Sequence, residues 1–261
     1  MTSNEMHIVL ATIDLSFHRA AAGVVQAILR RHGVSVTEIR APHEKAFKAL
    51  EDGTADMLCS AWLPGSHGGY FNAIEQEFEK LTVLYTPYAL WGVPKYVFDA
   101  GVHAVADLLK PKVLAKMRKH IQGVGPGAGI SRFSAELLQF YRLSDVGYVF
   151  QTGSLQQCVS AFESAVSKGE WVVVPLWKPQ YLFHSYDIRE LQEPNGLLRG
   201  KDEATLVVRK SRLDDLPVTA VMELRRTVLG NDAVTELDYM LSCKGLTENE
   251  IGQRYLVSKR R

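Results

Sequence analysis

The residues best equipped for chemistry are a glycine-rich turn, one histidine and a pair of tryptophans. Gly123-Val124-Gly125-Pro126-Gly127-Ala128-Gly129 follows an apolar stretch, Ile121 to Val124, that reads as a strand, and it precedes Ile130 to Tyr141, whose spacing predicts a helix. Glycines there allow backbone N–H groups at a helix N-terminus to face a ligand, which should be an anion, either phosphate or carboxylate. Without a ligand the same segment is a tight strand-to-helix turn. His67 lies in the loop Gly65-Ser66-His67-Gly68-Gly69, shortly after Trp62, where an imidazole N–H can donate to a carboxylate. Trp62 and Trp177 each precede a proline by two positions. Facing aromatic planes attract a quaternary ammonium by about 0.5–2 kcal/mol per contact. Such a cation has no N–H to donate, so rings suit it better than carboxylates. Tyr70, Trp91 and Tyr181 are further rings within reach of this sequence pattern, although Trp91 and Trp171 fall within or at the start of predicted strands and read as core.

Other chemistries find less support. Gly123 to Ala128 also fits a G-x-G-x-x-A dinucleotide fingerprint, but the acidic residue that should end the next strand is replaced by Gln151, and Asp145 comes before that strand. Ser66 is not in a G-x-S-x-G elbow, and the other histidines show no ligand spacing such as H-E-x-x-H. With no nucleophile, paired carboxylates or metal signature, neither catalysis nor a cofactor is expected. Cys59, Cys158 and Cys243 are far apart and without C-x-x-C, so reduced core thiols are expected rather than a disulfide framework.

These groups need elements to position them. The chain has 261 residues, 30 Lys plus Arg against 29 Asp plus Glu, and 46% hydrophobic residues, so no global field draws it to nucleic acid. The basic clusters at Arg30-Arg31, Lys110 to Lys119 and Lys259 to Arg261 read as solvated faces or a tail. Strand and helix alternate nearly throughout, which predicts α/β architecture with mostly parallel sheets. Strands are expected at His7 to Ile13, Val34 to Ile39, Ala55 to Cys59, Leu81 to Tyr85, Trp91 to Val97, Gly147 to Gln151, Trp171 to Leu176 and Ala204 to Val208. Helices are expected at Ala20 to Arg31, Glu44 to Leu50, Tyr70 to Glu79, Lys112 to Lys119, Gln156 to Lys168, Val218 to Leu229 and Ala233 to Ser242. A last helix carries a capping-box pattern at Thr247 and Glu250. Leu15 precedes Trp62 by the same 47 residues that separate Ile130 from Trp177. Two units of like design are therefore expected, each presenting a tryptophan just past the carboxyl end of a strand, where open α/β sheets bind ligands.

Four blocks in order resemble the substrate-binding proteins of glycine betaine, proline betaine and choline ABC transporters. They are Ser60-Ala61-Trp62-Leu63-Pro64-Gly65-Ser66-His67, Val93 to Val97, Gly125 to Ile130, and Glu170 through Trp177-Lys178-Pro179 to Pro194. The resemblance implies a two-lobed periplasmic-binding-protein fold of type II, lobe I comprising 1–88 with 204–261 and lobe II 89–203, with the ligand in the cleft. It implies that Trp62 and Trp177 face an ammonium, and that His67 with the N–H groups of Gly129 and Ile130 holds a carboxylate. Relatives commonly have a third tryptophan where this chain has Leu15, and Phe17 or Tyr70 can supply a ring instead. After Trp177 the chain reads Pro179-Gln180-Tyr181 where many relatives have His-Trp.

The resemblance further implies a monomeric, non-catalytic receptor that delivers a zwitterion to a membrane permease, with no nucleic-acid partner. A cytoplasmic ligand sensor and an enzyme acting on another anionic metabolite are the alternatives on the same architecture. No apolar run reaches the ~20 residues of a membrane helix. The first ten residues lack the pattern of a secretory signal. Either a leader has been removed and the protein is periplasmic or on the outer membrane face, or it is cytoplasmic.

Overall fold

A computed structural model describes residues 6–259. The chain forms two compact units, one comprising the segments up to Pro87 and from Asp202 onward, the other Tyr88–Lys201.

In the first unit, strands β1 (His7–Ile13), β2 (Ser35–Ala41), β3 (Met57–Leu63), β4 (Phe78–Tyr85) and β10 (Glu203–Arg209) form one sheet in the order β2-β1-β3-β10-β4. β1 runs parallel to β2 and β3, whereas β10 is antiparallel to both β3 and β4. The helix Ser16–Arg31 is buried over most of its circumference, since its alanine-rich sequence packs on the sheet side and also against Glu248–Ser258. At that crossing Gly23 and Gly252 bring the two backbones together; a Cβ on Gly252 would overlap the Gly23 carbonyl. The last helix begins as expected: Thr247 Oγ1 accepts the Glu250 N–H at 3.3 Å and Glu250 returns a carboxylate to the Thr247 N–H at 2.8 Å.

The second unit holds β5 (Tyr88–Pro94), β6 (His120–Gln122), β7 (Val149–Gln151), β8 (Val174–Lys178) and β9 (Ile188–Glu190). β6 and β7 are parallel, but the three-stranded sheet β8-β5-β9 is antiparallel throughout. The strand directions are thus more mixed than the alternation of elements implies. The two strands that follow a passage between units, β5 outgoing and β10 returning, are the ones laid antiparallel to their neighbours.

Several boundaries differ from expectation for local reasons. The segment 70–79 is not one helix: Gly68–Phe71 forms a single turn, a second turn covers Glu75–Glu77, and Glu79 already lies in β4. Lys112 to Lys119 is helical only over Pro111–Leu114, after which the Arg118 N–H joins the Trp171 carbonyl at 2.9 Å. The helix from Val218 stops at Arg226, and the Leu229 N–H instead meets the Leu84 carbonyl at 2.7 Å. β5 ends at Pro94 and a short helix starts at Lys95. Cys59 and Cys158 are buried free thiols as expected, but Cys243 is exposed. Trp91 is core, its indole N–H bonded to Ser134 Oγ at 2.8 Å, while Trp171 is only half-buried, with the Lys116 ammonium over its ring. Of the basic tail, Arg260 and Arg261 lie outside the described residues.

Candidate functional site

Trp62 and Trp177 do not lie past their strands. Each is the penultimate residue of one, Trp62 in β3 and Trp177 in β8, and each strand ends at an X–Pro bond that is cis. Apolar strand ends this well buried extend the ladder further than turn residues suggest: Trp62 pairs with Ala204 and Trp177 with Ala89. The positions upstream both fall at helix starts, two residues out of step. Leu15 caps the helix that follows β1, and Ile130 is the second residue of the helix that follows β6.

In the first unit the Trp62 ring stands in a cluster of aromatic side chains. Phe17 is 5.1 Å from it, His18 5.3 Å and His67 6.0 Å between centroids, and the Tyr85 ring meets it edge-on at 6.3 Å. The indole N–H donates to Tyr85 Oη at 3.1 Å. Tyr85 is in turn 2.8 Å from Ser60 Oγ, which is 3.2 Å from His18 Nδ1. The indole can only donate into this chain, and the direction of the hydrogens between Tyr85, Ser60 and His18 follows the His18 tautomer. Burial, reinforced by the neighbouring His43, lowers the His18 pKa well below the ordinary histidine value. Burial likewise raises the Tyr85 phenol, so its proton stays on. The Trp62 ring is therefore fixed in orientation and borders on no ionised imidazole at His18.

His67 is placed by the same strand end. Its Nδ1 accepts the Trp62 N–H at 2.9 Å, and its own N–H donates to the Trp62 carbonyl at 2.8 Å. An imidazole that accepts at Nδ1 carries its hydrogen at Nε2, so the ring is a neutral donor. His43 and Phe47 meet it edge-on at 5.1 and 5.4 Å. The loop before it is held by Asp202, whose carboxylate accepts the N–H groups of Gly65 at 2.6 Å and Ser66 at 2.9 Å. Tyr70 stacks on Phe47 at 5.3 Å, and both Tyr70 and Leu15 pack on the apolar core under β1 and β3. Phe17 and His18, two and three residues after Leu15, are the rings from that segment that reach Trp62.

In the second unit the glycine turn opens the 12-residue helix Gly129–Phe140, with Ala128 at the cap and no side chain capping it. The Ala128 N–H goes to Gly125 O, and the Ser131 and Arg132 N–H groups to Ala128 O. Ser131 Oγ donates to Val124 O at 3.0 Å and Arg132 to Gly127 O at 2.7 Å, which brace the turn from behind. Among the described residues no acceptor takes the N–H groups of Gly129 or Ile130, although both residues are buried. Two adjacent, buried first-turn N–H groups suit an anion. No group of three or more His, Cys, Asp or Glu among the described residues could hold a metal ion.

Sequence reasoning singled out Trp62, His67, Gly129, Ile130, Trp177, Leu15 and Tyr70, and passed over His18, Ser60, Tyr85 and Asp202, which surround Trp62 and the His67 loop. Only His18 carried a signal, since it lies in an alanine-rich helix that must be buried nearly all round.

The chain is 28% identical over 97 residues to the glycine betaine/carnitine transport binding protein GbuC of Listeria monocytogenes, a stretch covering 37% of this chain and 32% of that relative. Its fold matches the lactococcal OpuAC in its closed form with glycine betaine (TM-score 0.84, 22% identity, 98% of this chain and 96% of that one). It also matches the glycine betaine/L-proline-binding protein ProX of Borrelia burgdorferi (TM-score 0.83, 22% identity, 95% and 92%). A choline binding protein with bound choline gives a TM-score of 0.81 at 14% identity, over 97% and 89% of the two chains. The family defined as the substrate binding domain of ABC-type glycine betaine transport systems matches residues 6–258, nearly the full length, and the chain belongs to that family.

Proposed function

We propose that this chain is the solute-binding component of an ABC importer and that it captures a small carboxylate-bearing, betaine-like zwitterion without transforming it. Its partner is then a membrane permease, and it works as a monomer on the outer side of the cell membrane. Among the described residues no helix is long and apolar enough to cross a membrane.

The observation that carries the reading is the pairing at the end of β3. One strand end supplies an aromatic face, Trp62, and a neutral N–H donor, His67 Nε2, with their ring centroids 6.0 Å apart. Those are the complements of a methylated ammonium and a carboxylate. The other unit holds the Gly129 and Ile130 N–H groups at a helix start and Trp177 near the end of β8. In this reading Phe17 beside Trp62 offsets the absence of a ring at Leu15.

A thermal-shift panel of glycine betaine, proline betaine, carnitine and choline tests it. At 100 times its dissociation constant a ligand should add roughly 2.7 kcal/mol of stability. His67→Ala should weaken a carboxylate ligand by about tenfold or more, the worth of one charge-assisted hydrogen bond, and choline far less. No shift with any of the four, together with a shift from an unrelated anion, would overturn the solute assignment.

A further inference from the structure

We propose that Asp202 is a positioning residue for recognition of the ligand carboxylate, fastening the His67 loop to the point where the chain crosses between its units. The proposal rests on the carboxylate role given to His67 above. The chain leaves the first unit at Pro87–Tyr88 and returns at Lys201–Asp202. The Asp202 N–H donates to the Pro87 carbonyl at 2.7 Å, so outgoing and returning segments are tied at this residue. Just across the boundary Tyr88 and Lys201 form an antiparallel bridge.

The Asp202 side chain points the other way along the sequence of contacts. Its two carboxylate oxygens accept the N–H groups of Gly65 and Ser66, one each, and the residue is 5% exposed. A buried carboxylate taking two backbone donors is a strong, directional anchor. It holds the middle of the segment 62–67, whose far end is His67. Trp62, at the near end, has independent supports: the β3–β10 ladder and the Tyr85 hydroxyl. His67 is also tied to the Trp62 backbone through Nδ1 and its own main-chain N–H, so loosening the Asp202 anchor strains those two bonds and displaces the imidazole while the indole keeps its supports. Damage should fall on ligands with a carboxylate and spare those with only an ammonium. A role in general stability would not discriminate in this way.

Calorimetric titration of Asp202→Asn with glycine betaine and with choline tests this. Glycine betaine should bind about tenfold more weakly, the equivalent of one anchor made imperfect, and choline within about twofold of wild type. In a His67→Ala background the substitution should cause no further loss of glycine betaine, since it acts through His67. Hydrogen exchange in the ligand-free protein should show faster exchange of the Gly65 and Ser66 amides. Equal losses for both ligands, additive losses in the double variant, or unchanged exchange at Gly65 and Ser66 would each overturn the role. Where choline gives no titration, the double variant and the exchange decide. If Asp202→Asn does not fold, Asp202→Glu, which keeps the charge but displaces it by one methylene, carries the same expectations. Wild-type protein that binds neither compound refutes the solute reading and this role with it, whereas failure of the role alone leaves wild-type binding intact.

Discussion

Replacing Tyr85 by Phe removes a single oxygen from the middle of the buried chain that runs from Trp62 to His18. The ring stays, and its volume hardly changes, so no cavity confuses the result. What is lost is the acceptor for the Trp62 indole N–H at 3.1 Å and the partner of Ser60 Oγ at 2.8 Å. Trp62 is 6% exposed and Ser60 fully buried, so neither group can turn to water. Leaving a buried donor unpaired costs about 1–3 kcal/mol. Ser60 keeps His18 as a partner, so its share is the smaller, and the sum is about 2–4 kcal/mol. For a chain of this size that lowers the melting temperature by roughly 5–10 °C, measurable by calorimetry. The indole also loses the contact that fixes its orientation, so a quaternary ammonium should bind several-fold more weakly whether or not it carries a carboxylate. That pattern contrasts with His67→Ala, which discriminates between the two. A Tyr85→Phe protein that melts within a degree of wild type and binds choline equally well would refute the view that this hydroxyl positions Trp62.

Acid should destabilise the first unit through His18. Its folded pKa lies below the ordinary value near 6.5, so between the two the unfolded chain takes up a proton that the folded protein refuses. The stability present above about pH 6.5 is then lost as pH falls through the folded pKa, by up to about 1.4 kcal/mol per pH unit. Denaturant titrations across pH 5–7 should show this slope, and His18→Gln should flatten it; an unchanged slope in the variant would assign the effect elsewhere. Gly252→Ala should cost about 2 kcal/mol or more, because a methyl group there meets the Gly23 backbone rather than a movable side chain. Its melting temperature should drop by several degrees while ligand affinity stays at the wild-type value, since the Ser16–Arg31 and Glu248–Ser258 crossing involves none of the site's polar contacts.

The parts of the site legible in the sequence were those that declare themselves over a few neighbouring residues. Gly125 to Ile130 announces a helix N-terminus by composition, and Thr247 with Glu250 announces one by spacing; the structure places both helix starts within one residue of expectation. The equal intervals from Leu15 to Trp62 and from Ile130 to Trp177 run in each unit from a helix start to the penultimate residue of a strand, with the helix starts two residues out of step. Other features depend on partners distant along the chain. Asp202 reaches residues 136 and 137 positions away, and His18 meets a serine 42 positions on. A lone Asp before a strand or a lone Tyr ending one has no local signature of such a role. Strand direction failed for a related reason. Hydrophobic periodicity identifies a strand but not its sense, and β5 and β10 take their sense from the path of the chain between units. The strand ends were misjudged because Trp62 and Trp177 sit beside prolines, which read locally as turn, while cross-strand pairing with Ala204 and Ala89 keeps both in the sheet.

Under the proposed function, the two imidazoles beside Trp62 would let a zwitterion be recognised without a formal charge at either. A lysine or arginine in place of His67 would attract a carboxylate more strongly, but it would also repel an ammonium drawn to the ring centred 6.0 Å away. His67 avoids this because the Trp62 N–H occupies Nδ1, and protonation there would break that bond. His18 avoids it because burial, with His43 nearby, opposes the charged form. A backbone donor at Nδ1 keeps His67 able to give a hydrogen bond from Nε2, and burial keeps His18 uncharged beside the indole. A substitution that restores charge at either position, His67→Lys above all, should gain electrostatic attraction for simple carboxylates such as acetate while losing the betaine. An isolated gain in betaine affinity on His67→Lys would show that the neutrality of this strand end is incidental.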